Sequence, residues 1–365
     1  RDFQRIISAF CAEMTIEYTL LLSFYTFIAI DQLAYSTGIL ISIYTYVRIK
    51  KSCNILSIEI SYNLPNLSSC ATWDPNSITF AEWYFPIIYV DGKLLRSNLQ
   101  SVFIDRNNSI YVTYPDNYTI HEWHNSINND SVKIITRHSY KPYELFVSTT
   151  GDIYISSLEN KQIEKWVPAT STIEARVQFC EVCYHIFIAT DDMLYCSMTG
   201  HEIVVKRSIQ NSSNIIIVVA GVGVFGSETY MLDSPRGIFV NTHFDLYVSD
   251  AGNDRVQLFR SGEINGITIV GTSDTYELFY PTSVVLDVNN QLYIVDSGNI
   301  RIIRQTRYGF HCIIGCSESS SSYDELDNPT TMAFDSFGNI YIVNADNRRV
   351  AKFLLLINTC SKYTI

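Results

Sequence analysis

Charge is scarce in this chain, and positive charge is scarcer still. Only 17% of its 365 residues are Asp, Glu, Lys or Arg, and 26 basic residues face 37 acidic ones, for a formal net charge of −11. Disorder requires low hydrophobicity with high charge, which an apolar content of 47% excludes. The acidic balance argues against a general nucleic-acid binder, which needs a basic face for the phosphates. Glycine and proline, at 16 and 9, are too few for a collagen-like or low-complexity chain. Nine cysteines do not make a small disulfide scaffold, yet they exceed what a reduced cytosolic protein needs. Seven histidines occur without an H-E-x-x-H pair. No G-x-S-x-G elbow is present, and Gly221-Val-Gly223 lacks the rest of either phosphate-cradling motif.

What is abundant is apolar sequence, and it is unevenly spread. Residues 18–30 (YTLLLSFYTFIAI) and 33–47 (LAYSTGILISIYTYV) are apolar runs separated by Asp31 and Gln32 and closed by Arg48, Lys50 and Lys51. Neither run alone reaches the roughly 20 residues of a membrane-spanning helix, whereas 18–47 together do. Three readings stay open: a membrane anchor, a signal peptide with its apolar region at 18–30, and a segment packed on the main domain. The basic cluster at 48–51 argues for cytoplasm on its C-terminal side, and the cysteines argue for the opposite side. The chain divides into this apolar segment and linker, 1–69, and a second domain, 70–365.

That second domain repeats itself. The segments 98–123, 140–166, 183–207, 234–259, 280–303 and 328–353 each carry a short apolar strand, a polar turn, a second strand and a third. In every copy a tyrosine stands seven residues after the end of the first strand: Tyr111, Tyr154, Tyr195, Tyr247, Tyr293 and Tyr341. Apolar strands separated by about four polar residues form β-hairpins. A further strand follows in several copies (Ile134–Thr136, Ile216–Ala220, Ile267–Gly271, Cys312–Gly315). A four-stranded unit repeated six times is a six-bladed β-propeller, with the tyrosines suited to packing between blades.

The pattern P-x-G-I-x-V…L-Y-V-x-D-x-x-N-x-R-V-x-x-F at Pro235–Phe259, with Asp250, Asn253 and Arg255, resembles the NHL repeat. The resemblance continues at Asp296, Asn299 and Arg301, and at Asn344, Asn347 and Arg349; the first three copies keep only the apolar frame. It implies an all-β propeller and leaves activity open, because such propellers serve enzymes, RNA binders and sensors alike. The lyases that share the repeat use a metal and histidines, a set that does not map onto this chain. The ubiquitin-ligase relatives carry a zinc array upstream, where residues 1–69 hold only Cys11 and Cys53. Asp250, Asp296 and the repeat arginines read as turn and blade-locking residues.

The sixth copy supplies three strands, so the N-terminal strand 77–81 (SITFA) is expected to complete its blade and remove an exposed edge. Cys70 and Cys360 then become neighbours and are expected to pair. Cys312 with Cys316, and Cys183 with Cys196, are also placed to pair. A zinc site at Cys180, Cys183, His185 and Cys196 competes with a disulfide for the same thiols. Disulfides put the propeller in an oxidising compartment, membrane-anchored or secreted. N-glycosylation sequons stand at Asn66, Asn107, Asn117, Asn129 and Asn211, about as many as composition alone supplies.

The loops entering the fourth, fifth and sixth copies, 221–234, 271–280 and 315–329, are long and acidic and each carries a tyrosine. Glu228, Tyr230, Asp233, Asp274, Tyr276, Glu277, Tyr323, Asp324, Glu325 and Asp327 are the candidate binding residues. Carboxylates beside aromatics suit a basic peptide or another cationic partner. The expected function is a non-enzymatic recognition propeller for a protein, peptide or glycan, with no metal or cofactor; the rival is a propeller enzyme of the peptidyl-amidating-lyase type.

Overall fold

A computed structural model describes residues 60–82, 89–90, 93–94, 99–124, 132–137, 140–159, 161–179, 181–210, 215–271, 276–316 and 326–360. Asp274, Tyr323, Asp324, Glu325, Asn129, Asn211 and Cys180 lie outside these residues. So does the apolar stretch 18–47, and no helix among the described residues is long and apolar enough to cross a membrane.

Six four-stranded antiparallel sheets form the propeller. Blades 1 to 6 open on the innermost strands Val102–Ile104, Leu145–Val147, His185–Ile188, Pro235–Val240, Pro281–Leu286 and Pro329–Phe334. The outermost strands of blades 1 to 5 are Val132–Arg137, Thr172–Gln178, Ile217–Ala220, Ile267–Val270 and Gly309–Ile314. The sixth blade takes its outermost strand, Ile78–Glu82, from the N-terminal side of the ring, paired antiparallel with Arg349–Phe353. The expected closure is therefore present, shifted one residue toward the C-terminus of the SITFA segment and equal to it in length. A second clasp lies beside it, where Thr72–Trp73 pairs with Leu355–Ile357. Cys70 is bonded to Cys360 across a sequence separation of 290.

The repeat tyrosines explain the periodicity. Each pairs across its hairpin with the residue eight positions earlier, as in Phe187↔Tyr195 and Phe239↔Tyr247. Five of the six are buried. Tyr293 reaches Phe334 of the next blade, ring centroids 4.9 Å apart, which is packing between blades.

The central channel is closed on one side. Phe103, Phe146, Phe187 and Phe239 line its wall, with centroids about 5 Å apart from blade to blade: 4.9, 5.1 and 4.9 Å. Tyr62, which precedes the propeller's first strand, inserts its ring among them, 5.3 Å from Phe187 and 5.4 Å from Phe239. Asn63 fixes the plug by donating to the carbonyls of Asp105 and Phe334. The compact unit holding the propeller accordingly begins at Ile60.

Candidate functional site

With one end plugged by Tyr62, the other is the end where the chain enters each innermost strand. One side chain from every blade stands at that mouth: Gln100, Tyr143, Tyr184, Arg236, Thr282 and Thr330. Each lies eleven residues before its blade's repeat tyrosine, so a single repeat position builds the ring. Tyr280, Asn328 and Asp346 complete a basin of about 280 Å³. Hydrogen bonds stitch the strand starts together: Thr282 Oγ1 donates to the Thr330 carbonyl at 2.8 Å and Thr330 Oγ1 to the Gln100 carbonyl at 3.2 Å. The ring is thus held on rigid elements.

Arg236 dominates its electrostatics. The guanidinium carbon sits 4.5 Å from the ring centre of Tyr184 and 4.6 Å from that of Tyr280. Its Nη1 donates to the Tyr184 hydroxyl and its Nη2 to the Tyr280 hydroxyl at 2.7 Å. Tyr143 packs edge-on against Tyr184 at 4.9 Å. Burial raises the pKa of both Tyr143 and Tyr184, so these hydroxyls stay protonated. Among the described residues no carboxylate forms an ion pair with Arg236.

Below the mouth, Glu144 and His185 face the narrow channel. Burial pushes the Glu144 carboxyl up to about 8, although the Ser101 hydroxyl and the Leu145 amide donate to it. Burial likewise lowers the His185 imidazole to about 4, and its Nδ1 finds no partner among the described residues. His185 keeps some accessible surface because it borders the channel, though it lies deep in the molecule. The space here is only about 70 Å³, room for a few waters.

The loop residues expected to bind are on the same face. Glu228, Tyr230, Glu277 and Asp327 are exposed and Asp233 and Tyr276 half-buried. Several act through their backbones. Asp250 Oδ1 accepts from the Asp233 amide at 2.6 Å, while its Oδ2 accepts from Asn253 and Arg255 at 2.9 and 2.7 Å. Arg255 reaches on to the carbonyls of Ser227, Glu228 and Met231. Asp296 repeats the arrangement with the Phe279 amide, Asn299 and Arg301 at 2.8, 2.9 and 2.8 Å, and Arg301 caps the Glu277 carbonyl. Asn344 accepts from the Asp327 amide. The repeat Asp and Arg lock the loops, as their residue types suggested. The mouth ring was not anticipated, because its six members differ in type; their constant offset from the tyrosine was the available signal.

Cys183 and Cys196 are bonded, which removes those thiols from the weighed zinc site, and Cys312 is bonded to Cys316. Among the described residues no group of three or more His, Cys, Asp or Glu is placed to hold a metal.

No protein-family model matches the chain, and no curated protein sequence matches it. Solved structures do. Virginiamycin B lyase from Staphylococcus aureus superposes with a TM-score of 0.51 at 12% identity, over 82% of this chain and 96% of that one. A protein of unknown function from Bacteroides thetaiotaomicron gives 0.59 at 12%, over 82% and 75%. An auxiliary nutrient binding protein from Bacteroides ovatus gives 0.56 at 15%, over 82% and 76%. At such identities these likenesses show the β-propeller fold, which here hosts both a lyase and a binding protein; membership of the NHL family does not follow from them.

Proposed function

We propose that this chain is a recognition propeller of an oxidising, extracellular-type compartment, binding its partner at the channel mouth and the acidic loops around it. Three disulfides support the compartment. The observation that carries the reading is the convergence of one repeat position from six blades on a blind basin of about 280 Å³. Rigid scaffolds that present loops and a polar basin on one face are the usual setting of binding sites. The volume sits just under the roughly 300 Å³ floor of drug-sized pockets, which suits the end of a larger partner.

The test fills the basin. Full-length protein is screened on peptide and glycan arrays beside Thr330→Trp, whose side chain would occupy the mouth. Ligands that bind the parent and are lost in the variant support the reading; ligands bound equally by both overturn it.

A catalytic reading rests on Glu144 and His185, whose environments push a carboxyl up and an imidazole down, the separation an acid and a base require. The channel beside them is too small for a substrate other than a few waters, which favours recognition. Turnover abolished by Glu144→Gln would reverse that preference.

A further inference from the structure

Building on the mouth as the binding site, we propose that its ligand is the free carboxyl terminus of a basic peptide, with the terminal carboxylate seated on Arg236. A half-buried cation ordinarily has a carboxylate partner, since desolvating an unpaired charge is costly. Two arginines of the same face follow that rule: Arg255 and Arg301 pair with Asp250 and Asp296 at 2.7 and 2.8 Å. Arg236 instead meets two tyrosine rings and two hydroxyls, which orient the guanidinium without neutralising it. Its Nε is buried and unpartnered. Guanidinium is the side chain best shaped to take a carboxylate, and capture of a terminal carboxylate is a recurring mode of peptide recognition. Glu144, lying beneath, is engaged by the Ser101 hydroxyl and the Leu145 amide rather than by Arg236, and burial raises its carboxyl toward the neutral form.

The surroundings select what bears the carboxylate. Tyr143, Tyr184 and Tyr280 give the basin apolar walls for one terminal side chain. Gln100 makes no side-chain hydrogen bond among the described residues, and its amide is free for the peptide backbone. Around the cation the charge reverses. Asp346 borders the basin and Asp327 sits beside it, with the Asp346 amide donating to the Asp327 carbonyl at 3.4 Å. Both are exposed, as are Glu277 and Glu228 on the neighbouring loops. A small anion meets repulsion at this rim. A peptide with a terminal carboxylate and basic residues just before it is complementary to both zones.

The experiment uses full-length protein and lysine-containing peptides that vary in the last residue, each made as the free acid and as the terminal amide. The amide has nearly the same shape and lacks the charge. Calorimetric titration at physiological salt, where the Debye length is about 8 Å, is expected to find free acids that bind and amides weaker by about 10- to 150-fold, the range for hydrogen bonds to a charged group. Arg236→Gln should lose that preference and Arg236→Lys should keep part of it. Equal binding of acid and amide, or no binding of any free acid, overturns the proposal. The acid–amide comparison needs no variant, so it decides even if Arg236→Gln fails to fold. A neutral array ligand lost in Thr330→Trp but kept in Arg236→Gln would leave the mouth as the site and refute only the carboxylate.

Discussion

Blades 4 to 6 and blades 1 to 3 share one frame and hold it by different means. In blades 4 and 5 the residue three after the repeat tyrosine is Asp250 or Asp296, fully buried and bonded to an Asn, an Arg and the loop upstream. Blade 6 keeps Asn344 there. The same position in blades 1 to 3 is Tyr114, Ser157 and Met198. Met198 is fully buried, with Cys183 bonded to Cys196 in the same blade; Tyr114 stacks on His121 at 4.2 Å. A propeller blade therefore needs a filled position at this corner and does not need the charge. The charge positions the loops of the face that carries the mouth, and blades 2 and 3, which lack it, have shorter entries.

The largest expected effect separates the ring as a whole from a single blade. Cys70→Ser opens a loop of 290 residues, and the chain-entropy relation gives a loss of about 6 kcal/mol. Breaking Cys183–Cys196, which closes 13 residues, should cost about 3 kcal/mol. Denaturant unfolding of the two variants measures the difference; equal losses would mean that closure adds nothing beyond local bracing.

Asp250→Ala leaves Arg255 buried without its carboxylate, an expected loss of about 3–5 kcal/mol, read in the same assay. The reciprocal graft is sharper. Met198→Asp alone buries an unpaired carboxylate in blade 3. Adding Ile203→Arg, at the position Arg255 holds in blade 4, should restore at least 1 kcal/mol or so if the corners are equivalent. No recovery would show that the early blades have drifted in backbone as well as in side chain.

Titration divides the halves as well. The channel position ten residues before the repeat tyrosine is Glu144 in blade 2 and His185 in blade 3, but Gly237, Ser283 and Thr331 in blades 4 to 6. Glu144 rises from 4.5 to about 8 on folding, so between those pH values the folded state holds the proton that the unfolded chain has released. Stability from this group is full below about pH 4.5 and is lost as pH rises toward 8, by roughly 4 kcal/mol. His185 falls from 6.5 to about 4, so its contribution is lost in the opposite direction, as pH drops through that window. Glu144→Gln should remove the alkaline decline and leave the acid one, which melting curves across pH 4 to 9 would register. An unchanged alkaline limb would place the ionisation elsewhere.

Much of this fold was legible in the residues. The tyrosine interval counted the blades, the missing fourth strand of the last copy located the closing strand, and the closing strand made Cys70 and Cys360 neighbours. Those inferences work because strand period and ring closure act along the chain. The mouth was hidden for the converse reason. Gln100, Tyr143, Tyr184, Arg236, Thr282 and Thr330 share a position and no chemistry, and they meet only once the ring is closed. Asp250 reads as a turn residue, but its acceptor role toward an amide 17 residues upstream leaves no trace in a local pattern. The strand Thr172–Gln178 also escaped notice, although TIEARVQ alternates polar and apolar residues throughout.

The smallest expected effect concerns the loops that only the late half carries. Charge reversal of Glu228, Glu277 and Asp327 to Lys should barely alter stability. The groups that fasten these loops are the Glu228 and Glu277 carbonyls and the Asp327 amide, which any side chain leaves in place, and exposed charges are worth under about 1 kcal/mol each. Partner binding should nonetheless weaken several-fold at low salt, chiefly through slower association, and recover toward the parent as salt rises. The acidic loops would then have a steering role beside the mouth's anchoring one. If association of a basic peptide is unchanged at low salt, the loops are ordinary solvated connections, and the functional difference between the two halves narrows to Arg236, held by Tyr184 of the early half and Tyr280 of the late one.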